Sequence, residues 1–462
     1  MSTRTDLLFL PTELLRDDGE EAIDMRLWVA AFALHVPLAL LLQTQPAAGA
    51  AHGALALLFG LYSALAGRVD RAAQAAAYIA GAEVLWRMTS SGVFWEFGKY
   101  AVVLIFCVAI GRNPAWRVPP LALSYFVVLL PSCVMTLLAL NFEEARKQMS
   151  FNLSGPLALA VSVWFFANCR MGRRECSKIL LAYLAPLVSV VTITMISTYF
   201  SGPIVFGTNS NFATSGGFGP NQVASSLGLG VLFGLLVLAF APGLAMGGRL
   251  VVLSLVVACG MQSAMTFSRS GLLLALQAGL VGVLFLRQDL KAVLRVALWV
   301  VAGYVLVAYL VSPALDSFTG GALGRRFEST NLSHRDDLVM ADIAIWLENP
   351  VGGSGPGAAK SERAARTHSS SIAHTEFSRL LSDHGLFGIV AMGLLCAMGL
   401  QMLRRADPGG PRAFVAVMLA WSLVYMAVNG MRLVAPSLLL GFGALQWKRW
   451  APGREFYIKD AA

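Results

Sequence analysis

The chain has 462 residues, of which 57% are hydrophobic and only 13% are charged, and its formal net charge is +9. This composition excludes an ordinary soluble domain and, with a mean hydropathy of +0.67, predicts a polytopic α-helical membrane protein. The positive charge does not indicate a nucleic-acid partner, because the basic residues lie mainly in short loops between apolar segments. The six cysteines match neither a disulfide framework nor the spacing of a zinc site.

Residues 1–25 form an acidic segment, whereas a signal peptide begins with a short basic region. We therefore expect a cytosolic tail followed by an uncleaved first span. Apolar segments of ~17–25 residues then recur along the chain, each long enough to cross a bilayer. The predicted spans are 27–44, 48–66, 72–86, 94–111, 119–140, 151–169, 178–200, 221–241, 249–267, 271–287, 292–312, 385–403, 411–429 and 432–447.

These segments predict an all-α fold class. The expected architecture is a polytopic helical bundle of about 12–14 spans, with one long outer loop that contains short helices. Residues 26–311 hold the spans before that loop, and residues 385–447 hold the last spans. Residues 312–384 form the loop itself, in which much of the polar chemistry of the chain is concentrated. Residues 448–462 form a second cytosolic tail.

Basic residues are unevenly divided between the two sets of alternate loops, and this bias predicts the orientation of the chain. The richer set, with the C-terminal tail, holds Arg68, Arg71, Arg112, Arg117, Arg170, Arg173, Arg174, Lys178, Arg249, Arg287, Lys291, Arg295, Arg404, Arg405, Arg412, Lys448, Arg449, Arg454 and Lys459. The other short loops hold Arg87, Arg146, Lys147, Arg269 and Arg432. Both termini are therefore expected in the cytosol and the long loop in the periplasm, across a bacterial inner membrane. Positive charge on the translocated side is disfavoured, so an arginine there is a candidate functional residue.

The long loop contains two predicted helices. Residues 335–346 have helical apolar spacing, and this helix is expected to end just before Pro350, because the residue before proline is pushed out of helical geometry. Residues 374–384 predict a second helix that leads into the next span. The glycine-rich segment 351–357 is expected to let two helices pack, since no Walker lysine follows it to make a phosphate cradle. Residues 360–366 are expected to be mobile.

Several short motifs together resemble the O-antigen ligase and polymerase superfamily. In the long loop they are Arg335 with Trp346 eleven residues on, Asn-Pro-Val-Gly-Gly-Ser-Gly-Pro-Gly at 349–357, and His374 followed by Gly385 and Gly388. Two outer-face segments add to the resemblance, Gly219-Pro-Asn-Gln222 at the start of a span and Ser268-Arg-Ser-Gly271. These motifs occur in the family's order and on one predicted face of the membrane.

The resemblance implies a metal-independent transferase that uses no cofactor. Such an enzyme takes a glycan carried on undecaprenyl diphosphate and joins its reducing-end sugar to an acceptor hydroxyl. The acceptor is lipid A–core in ligases and another lipid-linked repeat in polymerases, and no residue of the sequence distinguishes the two. The apolar spans would hold the polyprenyl tail among the membrane lipids.

Arginine and amide side chains on the outer face suit this chemistry. A diphosphate leaving group calls for planar, permanently charged donors, which arginine supplies in bidentate form. Arg269 and Arg335 are expected to clamp the diphosphate and to stabilise charge as the glycosyl bond breaks. Arg326 and Arg379 are further candidates for the same clamp. Asn221 is expected to cap a span or to take a polar role in the cavity.

Histidine is the usual base for an acceptor alcohol, because its pKa lies near the operating pH. His374 is expected to be the general base, or to orient the acceptor hydroxyl. The other histidines of the loop, His334, His368 and His384, are expected to be solvated.

Three other functions remain open. A protein O-oligosaccharyltransferase would use the same donor. A secondary transporter of an anion or lipid-linked saccharide would place charges at the membrane midplane, for which Glu96 and Lys99 are the only support, and would show an internal repeat. A non-catalytic assembly scaffold would tolerate replacement of His374.

Overall fold

The computed structural model describes residues 22–200, 202–207, 209–286, 309, 312–328, 335–367 and 375–448. The helices before the long loop are α1 (Met25–Thr44), α2 (Pro46–Leu65), α3 (Val69–Met88), α4 (Phe97–Gly111), α5 (Pro120–Val127), α6 (Cys133–Ala139), α7 (Phe142–Ala167), α8 (Arg173–Tyr199), α9 (Pro220–Phe240), α10 (Met246–Met265) and α11 (Ser270–Leu286). Those of the long loop are α12 (Ser312–Thr319), α13 (Ala322–Glu328), α14 (Arg335–Glu348), α15 (Ala359–Thr367) and α16 (Glu376–His384). The last are α17 (Leu386–Arg405), α18 (Gly410–Asn429) and α19 (Ala435–Phe442).

Eight of the described helices are long and apolar enough to cross a membrane. They are α1, α2, α7, α8, α9, α10, α17 and α18, and α4 and α11 are shorter apolar helices. The protein is therefore an all-α polytopic membrane protein, as its composition predicts. The predicted span 292–312 falls mostly outside the described residues.

The centre of the bundle is built on close contacts between helices α3, α8, α9 and α11. Small residues allow these contacts, since a side chain would separate the backbones. A Cβ atom on Gly81 of α3 would lie 2.4 Å from the carbonyl oxygen of Tyr183 on α8. Where α9 crosses α11, a Cβ on Gly228 would lie 2.1 Å from the carbonyl oxygen of Gly271. This crossing brings the first turn of α9 beside the turn that precedes α11.

The predicted span 119–140 is interrupted. The prediction that it forms one continuous helix is wrong. α5 ends at Val127 and α6 begins at Cys133. The break contains Pro131, which has no amide to donate and whose ring clashes with the preceding helical turn. Ser132 fills the break by donating to the carbonyl oxygen of Leu129 at 2.7 Å. The interruption creates room for side chains of the long loop.

The last predicted span, 432–447, is also shorter than expected. Only α19 is helical, and the chain then forms a two-residue strand, β2 (Gln446–Trp447). This strand pairs in parallel with β1 (Arg170–Met171), which lies between α7 and α8. Hydropathy sums apolar residues whatever their backbone conformation, so it could not detect the change from helix to strand.

The helices of the long loop agree with two predictions and correct a third. α14 ends at Glu348, close to the bound set by Pro350, and α16 ends at His384, as the pattern indicates. Thr375 caps α16 by accepting from the amide of Phe377 at 3.2 Å. The segment 360–366, expected to be mobile, lies instead within helix α15, whose Arg363 side chain is buried.

The contact between α9 and α11 generates a first prediction. Gly271→Ala would place a Cβ atom 2.1 Å from the carbonyl oxygen of Ala224, so one helix must move, which costs about 1–3 kcal/mol of unfolding free energy. Gly279→Ala, in the same helix, meets nothing within 4 Å and should stabilise α11 slightly. Thermal unfolding of the two purified variants in detergent checks this. Equal midpoints for both variants would contradict the close contact.

Candidate functional site

The candidate site lies at the end of the bundle where α9 begins. Asn221, in the first turn of α9, accepts a hydrogen bond from the hydroxyl of Ser268 at 2.7 Å. Ser268 and Ser270 are 2.9 Å apart through their hydroxyl oxygens. Pro220 is the first residue of this helix, so Asn221 lies inside the first turn and does not cap it. The two motifs predicted to lie on the outer face, 219–222 and 268–271, therefore meet in one place.

The turn between α10 and α11 is strained and is held by other elements. Phe267 has φ of 57°, a left-handed conformation that is unfavourable for a bulky side chain and costs of order 1–3 kcal/mol. The carbonyl oxygen of Thr266 accepts from the amide of Asn211 at 2.8 Å. The carbonyl oxygen of Phe267 accepts from Nε of Arg326 at 3.1 Å. This conformation fixes the position of Arg269, two residues further on.

The structure brings Arg269 and Arg326 together. Arg326 comes from α13 in the long loop and is buried, and Arg269 is half-buried at the start of α11. Burial lowers the pKa of the Arg326 guanidinium, and the nearby charge of Arg269 lowers it further. Two like charges that approach each other in a partly buried site attract an anion. The predicted clamp residues thus converge from two separate parts of the chain.

A second pair of arginines, Arg87 and Arg432, lies on the other side of the first turn of α9. Arg87 donates from Nη1 to Oε1 of Gln222 at 2.7 Å and to the carbonyl oxygen of Arg432 at 3.1 Å. Neither arginine is a site candidate in the sequence. The signal that could have found them is their place in the short loops predicted to lie on the translocated side, where basic residues are disfavoured.

Two carboxylates hold the turn that carries Arg432. Oε2 of Glu83, on α3, accepts from the amide of Val434 at 2.7 Å. Oε2 of Glu376, on α16, accepts from the amide of Met431 at 3.2 Å. Hydrogen bonds to ionised acceptors are roughly twice as strong as neutral ones. The turn is therefore positioned from both the bundle and the long loop.

Arg379, a predicted substrate-binding residue, is buried in an ion-pair network. Its Nη1 donates to Oδ2 of Asp383 at 3.0 Å and to Oδ1 of Asn152 at 3.1 Å. Its Nε and Nη2 donate to the two carboxylate oxygens of Glu376. These contacts attach α16 to α7 and leave the guanidinium facing protein groups. All three guanidinium nitrogens of Arg379 are thus engaged by protein groups.

A second buried ion pair joins the loop helices to one another. Nε of Arg363, on α15, donates to Oδ1 of Asp342, on α14, at 2.7 Å. The hydroxyl of Ser378, on α16, donates to the other oxygen of Asp342 at 2.6 Å. Asp342 thus links three loop helices. Its partners lie 21 and 36 residues away in the sequence, so local pattern could not identify them.

The glycine-rich segment packs against α16, as expected for a segment that lets two helices approach. The amide of Ser354 donates to the carbonyl oxygen of Ser382 at 2.9 Å, and that of Gly355 to the carbonyl oxygen of Asp383 at 2.9 Å. The amide of Gly357 donates to Oδ2 of Asp383 at 3.1 Å. These amides satisfy the end of a helix and one oxygen, Oδ2, of the Asp383 carboxylate, while Oδ1 is buried without a partner among the described residues.

Asp383 and His384 are buried where α16 meets the break between α5 and α6. Burial raises the pKa of the Asp383 carboxyl to about 6, although Arg379 and Arg363 oppose the shift. Burial, with the charge of Arg379, lowers the pKa of His384 to about 3, so this histidine is neutral. Its Nδ1 lies 2.5 Å from the hydroxyl oxygen of Ser132. The expectation that His384 is solvated is wrong, because the interruption of the predicted span lets it enter the protein.

The remaining predicted residues are only partly placed. His374, with the other loop histidines His334 and His368, lies outside the described residues. Arg335 begins helix α14, and the structure describes its backbone but not its side chain. Within the described ranges, no three His, Cys, Asp or Glu residues are grouped so that they could hold a metal ion. Metal independence stays a prediction.

Comparison with known families matches one part of the chain. Residues 253–393 match the family model described as Wzy_C, O-antigen ligase. The matched range includes Arg269, Arg326, Arg335 and His374, while Asn221 and Arg87 lie outside it. The search of curated proteins found no match to the chain. The family resemblance seen in the sequence is confirmed for this range.

The buried network of Arg379 generates a second prediction. Arg379→Ala would leave Glu376 and Asp383 buried without their cationic partner, a loss that typically costs about 3–5 kcal/mol. The free energy or midpoint of unfolding of the purified variant, together with its level in membranes, should fall sharply.

Arg366→Ala is the matched control, since Arg366 pairs with the exposed Glu348 on the loop surface. It should have little or no effect on unfolding. Wild-type stability of Arg379→Ala would show that the network does not hold the loop on the bundle.

Proposed function

Because residues 253–393 belong to the O-antigen ligase family, we propose that this membrane protein transfers a glycan from a polyprenyl diphosphate carrier to an acceptor hydroxyl. The family implies glycan transfer of the O-antigen ligase or polymerase type. The observation that carries the proposal is the meeting of Arg269 and Arg326 beside the first turn of α9. The carrier, undecaprenyl diphosphate in bacteria, supplies the anion that these like charges attract.

Arg269 and Arg326 act on the leaving group. As the bond between the anomeric carbon and the diphosphate oxygen breaks, negative charge grows on the diphosphate. Fixed guanidinium groups stabilise this charge without reorganisation, because Arg326 is held by the carbonyl oxygen of Phe267. Arg335 adds a third guanidinium to the clamp in this proposal. Asn221 orients polar groups of the substrate from the first turn of α9.

His374 acts on the acceptor. It takes the proton of the acceptor hydroxyl, or holds that hydroxyl in place, while the oxygen attacks the anomeric carbon. The products are the extended glycan and free polyprenyl diphosphate, and the proton leaves through the histidine. No metal ion enters this scheme, since the guanidinium groups neutralise the diphosphate.

The membrane supplies the geometry. The polyprenyl tail lies along the apolar surface of the spans, and the diphosphate then sits at the interface beside α9. The protein is a multi-pass membrane protein, and we place it in the bacterial inner membrane with both termini in the cytosol and the long loop in the periplasm. The acceptor is either lipid A–core, as in a ligase, or a second lipid-linked repeat, as in a polymerase.

The third prediction tests the clamp and the base. In a deletion strain, Arg269→Ala, Arg326→Ala, Arg335→Ala and His374→Ala should each lower glycan transfer by roughly 100-fold or more, since removal of one transition-state donor costs about that much. Gels of surface polysaccharide and of lipid-linked intermediates provide the measurement, with membrane levels confirmed by blot. Unattached long chains would indicate a ligase, and single accumulated repeats a polymerase.

Arg325→Ala is the matched control for Arg326→Ala. Arg325 is the neighbouring residue of α13, but it is exposed and donates to the carbonyl oxygen of Gly320. Transfer should stay near the wild-type level in this variant. Normal glycan transfer in all four site variants would contradict the proposed function.

The fourth prediction concerns metal ions. Purified protein in nanodiscs, supplied with lipid-linked donor and acceptor extracted from host membranes, should transfer glycan at an unchanged rate in EDTA. Arginine alone neutralises the leaving group in the proposed scheme. Strong inhibition by EDTA, reversed by added Mg²⁺ or Mn²⁺, would overturn the metal-independent mechanism.

A further inference from the structure

A pocket of about 260 Å³ opens where α3 ends and α4 begins, next to the candidate site. The lining residues that matter for recognition are Glu83, Trp86, Arg87, Phe94, Trp95 and Phe97. Ligand pockets for drug-sized molecules begin at ~300 Å³, so this volume suits a single ring with its substituents. None of these residues belongs to the range that matches the ligase family.

Aromatic rings form much of the pocket wall. Trp86 is buried at 1% exposure, whereas Phe94 and Trp95 remain 56% and 43% exposed. Phe94 packs edge-on against Phe97, with ring centres 5.8 Å apart. Exposed aromatic faces beside polar groups suit sugars, because a pyranose ring presents one face of C–H groups and a perimeter of hydroxyls.

Arg87 supplies an unused donor to this pocket. Its side chain is only 5% exposed, and its Nε is a buried atom without a hydrogen-bond partner among the described residues. The terminal nitrogens are occupied, because Nη1 donates to Gln222 and Nη2 donates to Glu83 and to the carbonyl oxygen of Trp95. A buried donor without a partner is costly. Because Nε has almost no accessible surface, a ligand oxygen would reach it only after the Arg87 side chain shifts toward the pocket.

The charge balance of the pocket favours a neutral ligand. Arg87 is paired with Glu83 at 2.6 Å, so its positive charge is already compensated. Its guanidinium also stacks over the ring of Trp95, 4.4 Å from the ring centre. A phosphate would meet the Glu83 carboxylate, whereas a sugar hydroxyl can donate to a carboxylate and accept from Nε. The pocket therefore differs from the like-charged pair Arg269 and Arg326.

The turn that borders the pocket is held by its own backbone hydrogen bonds. The turn after α3 closes through bonds from the amide of Ser91 to the carbonyl oxygen of Trp86 at 3.0 Å and from the amide of Gly92 to that of Ser90 at 2.8 Å. Gly92 has φ of 70°, which this tight turn requires. Preorganisation of this kind reduces the entropy lost on binding.

We propose that this pocket is a sugar-binding subsite, which takes one neutral sugar ring of a substrate beside the bond that reacts. This proposal rests on the proposed function and deepens it. Arg87 connects the subsite to the site, because Gln222 is the neighbour of Asn221 in α9. The ring belongs either to the acceptor glycan or to the sugar next to the diphosphate of the donor.

The first experiment measures binding without catalysis. Saturation-transfer NMR on protein in nanodiscs uses, as probe, the monosaccharide mixture from acid hydrolysis of the host's own surface glycans. Saturation of aromatic protons should reach the sugar C–H groups in wild type. The transfer should fall at least fivefold in Trp95→Ala and Phe94→Ala, and it should persist in Trp95→Phe. Tyr62→Ala is the control, since it removes an exposed ring from α2 outside the pocket.

The second experiment separates the two sources of the ring. In nanodiscs with extracted donor and acceptor, Trp95→Ala should raise one KM roughly tenfold with kcat nearly unchanged, the pattern for loss of uniform binding. A rise in the KM of the acceptor assigns the ring to the acceptor, and a rise in that of the donor assigns it to the donor. Trp95→Phe should restore most of the affinity.

Failure of the subsite is distinguishable from failure of the proposed function. Wild-type protein that transfers glycan but gives no sugar signal, or whose two KM values are unaffected by Trp95→Ala, overturns the subsite and leaves the function in place. The aromatic rings would then serve only as an anchor at the membrane interface. A fall in kcat alone would show that Trp95 acts by positioning Arg87, which also overturns binding. Wild-type protein without transfer contradicts the proposed function, while the NMR signal still tests the subsite.

Discussion

The carboxylate of Glu376 is the point at which the long loop and the helix bundle depend on each other. It pairs with Arg379 within its own helix, and it accepts from the amide of Met431 in the turn between α18 and α19. Arg379 in turn reaches Asn152 on α7. A buried carboxylate is tolerated only when its charge is compensated and its oxygens are hydrogen-bonded. The position of the loop in this structure meets both conditions.

This constraint divides the arginines into two kinds. Arg363 and Arg379 each form an ion pair with a buried carboxylate and connect helices, so their charges are already paired within the protein. Arg269 and Arg326 lie near each other, and the charge of Arg269 lowers the pKa of the Arg326 guanidinium. In the proposed function an anionic substrate binds beside this pair, and the scaffold arginines supply the rigidity that keeps the pair in place.

The sequence predicted the helices well where a continuous apolar run folds as one helix. It also named Asn221, Arg269 and Arg326 from local features, and the structure places these three residues in one region, while their roles stay predictions. It failed at 119–140 and at 360–366, where the outcome depends on what packs against the segment. Pro131 interrupts the helix, and Ser132 and His384 fill the break together. A contact between residues so far apart in the chain cannot be predicted from hydrophobic periodicity.

Partners far apart in the sequence explain the other failures. Arg379 resembles a substrate-binding arginine until its neighbours on α7 and α16 are known. Arg87 and Arg432 meet across 345 residues of chain. The pocket beside Arg87 is lined by residues between 83 and 98, but its place next to the candidate site depends on the contact of Arg87 with Gln222 of α9, 135 residues away.

The ion pair of Glu83 and Arg87 has a consequence for biosynthesis. The backbone amide that Glu83 finally binds, that of Val434, is synthesised 351 residues later. A lone charge in a helix that enters the membrane is costly, by less than the roughly 2.5–3.5 kcal/mol found at a helix centre, because Glu83 and Arg87 lie near the end of α3. Because Glu83 and Arg87 are four residues apart on one helix, they neutralise each other as soon as α3 forms. The charges of Glu83 and Arg87 are therefore already paired within α3 before the turn that contains Val434 has been synthesised.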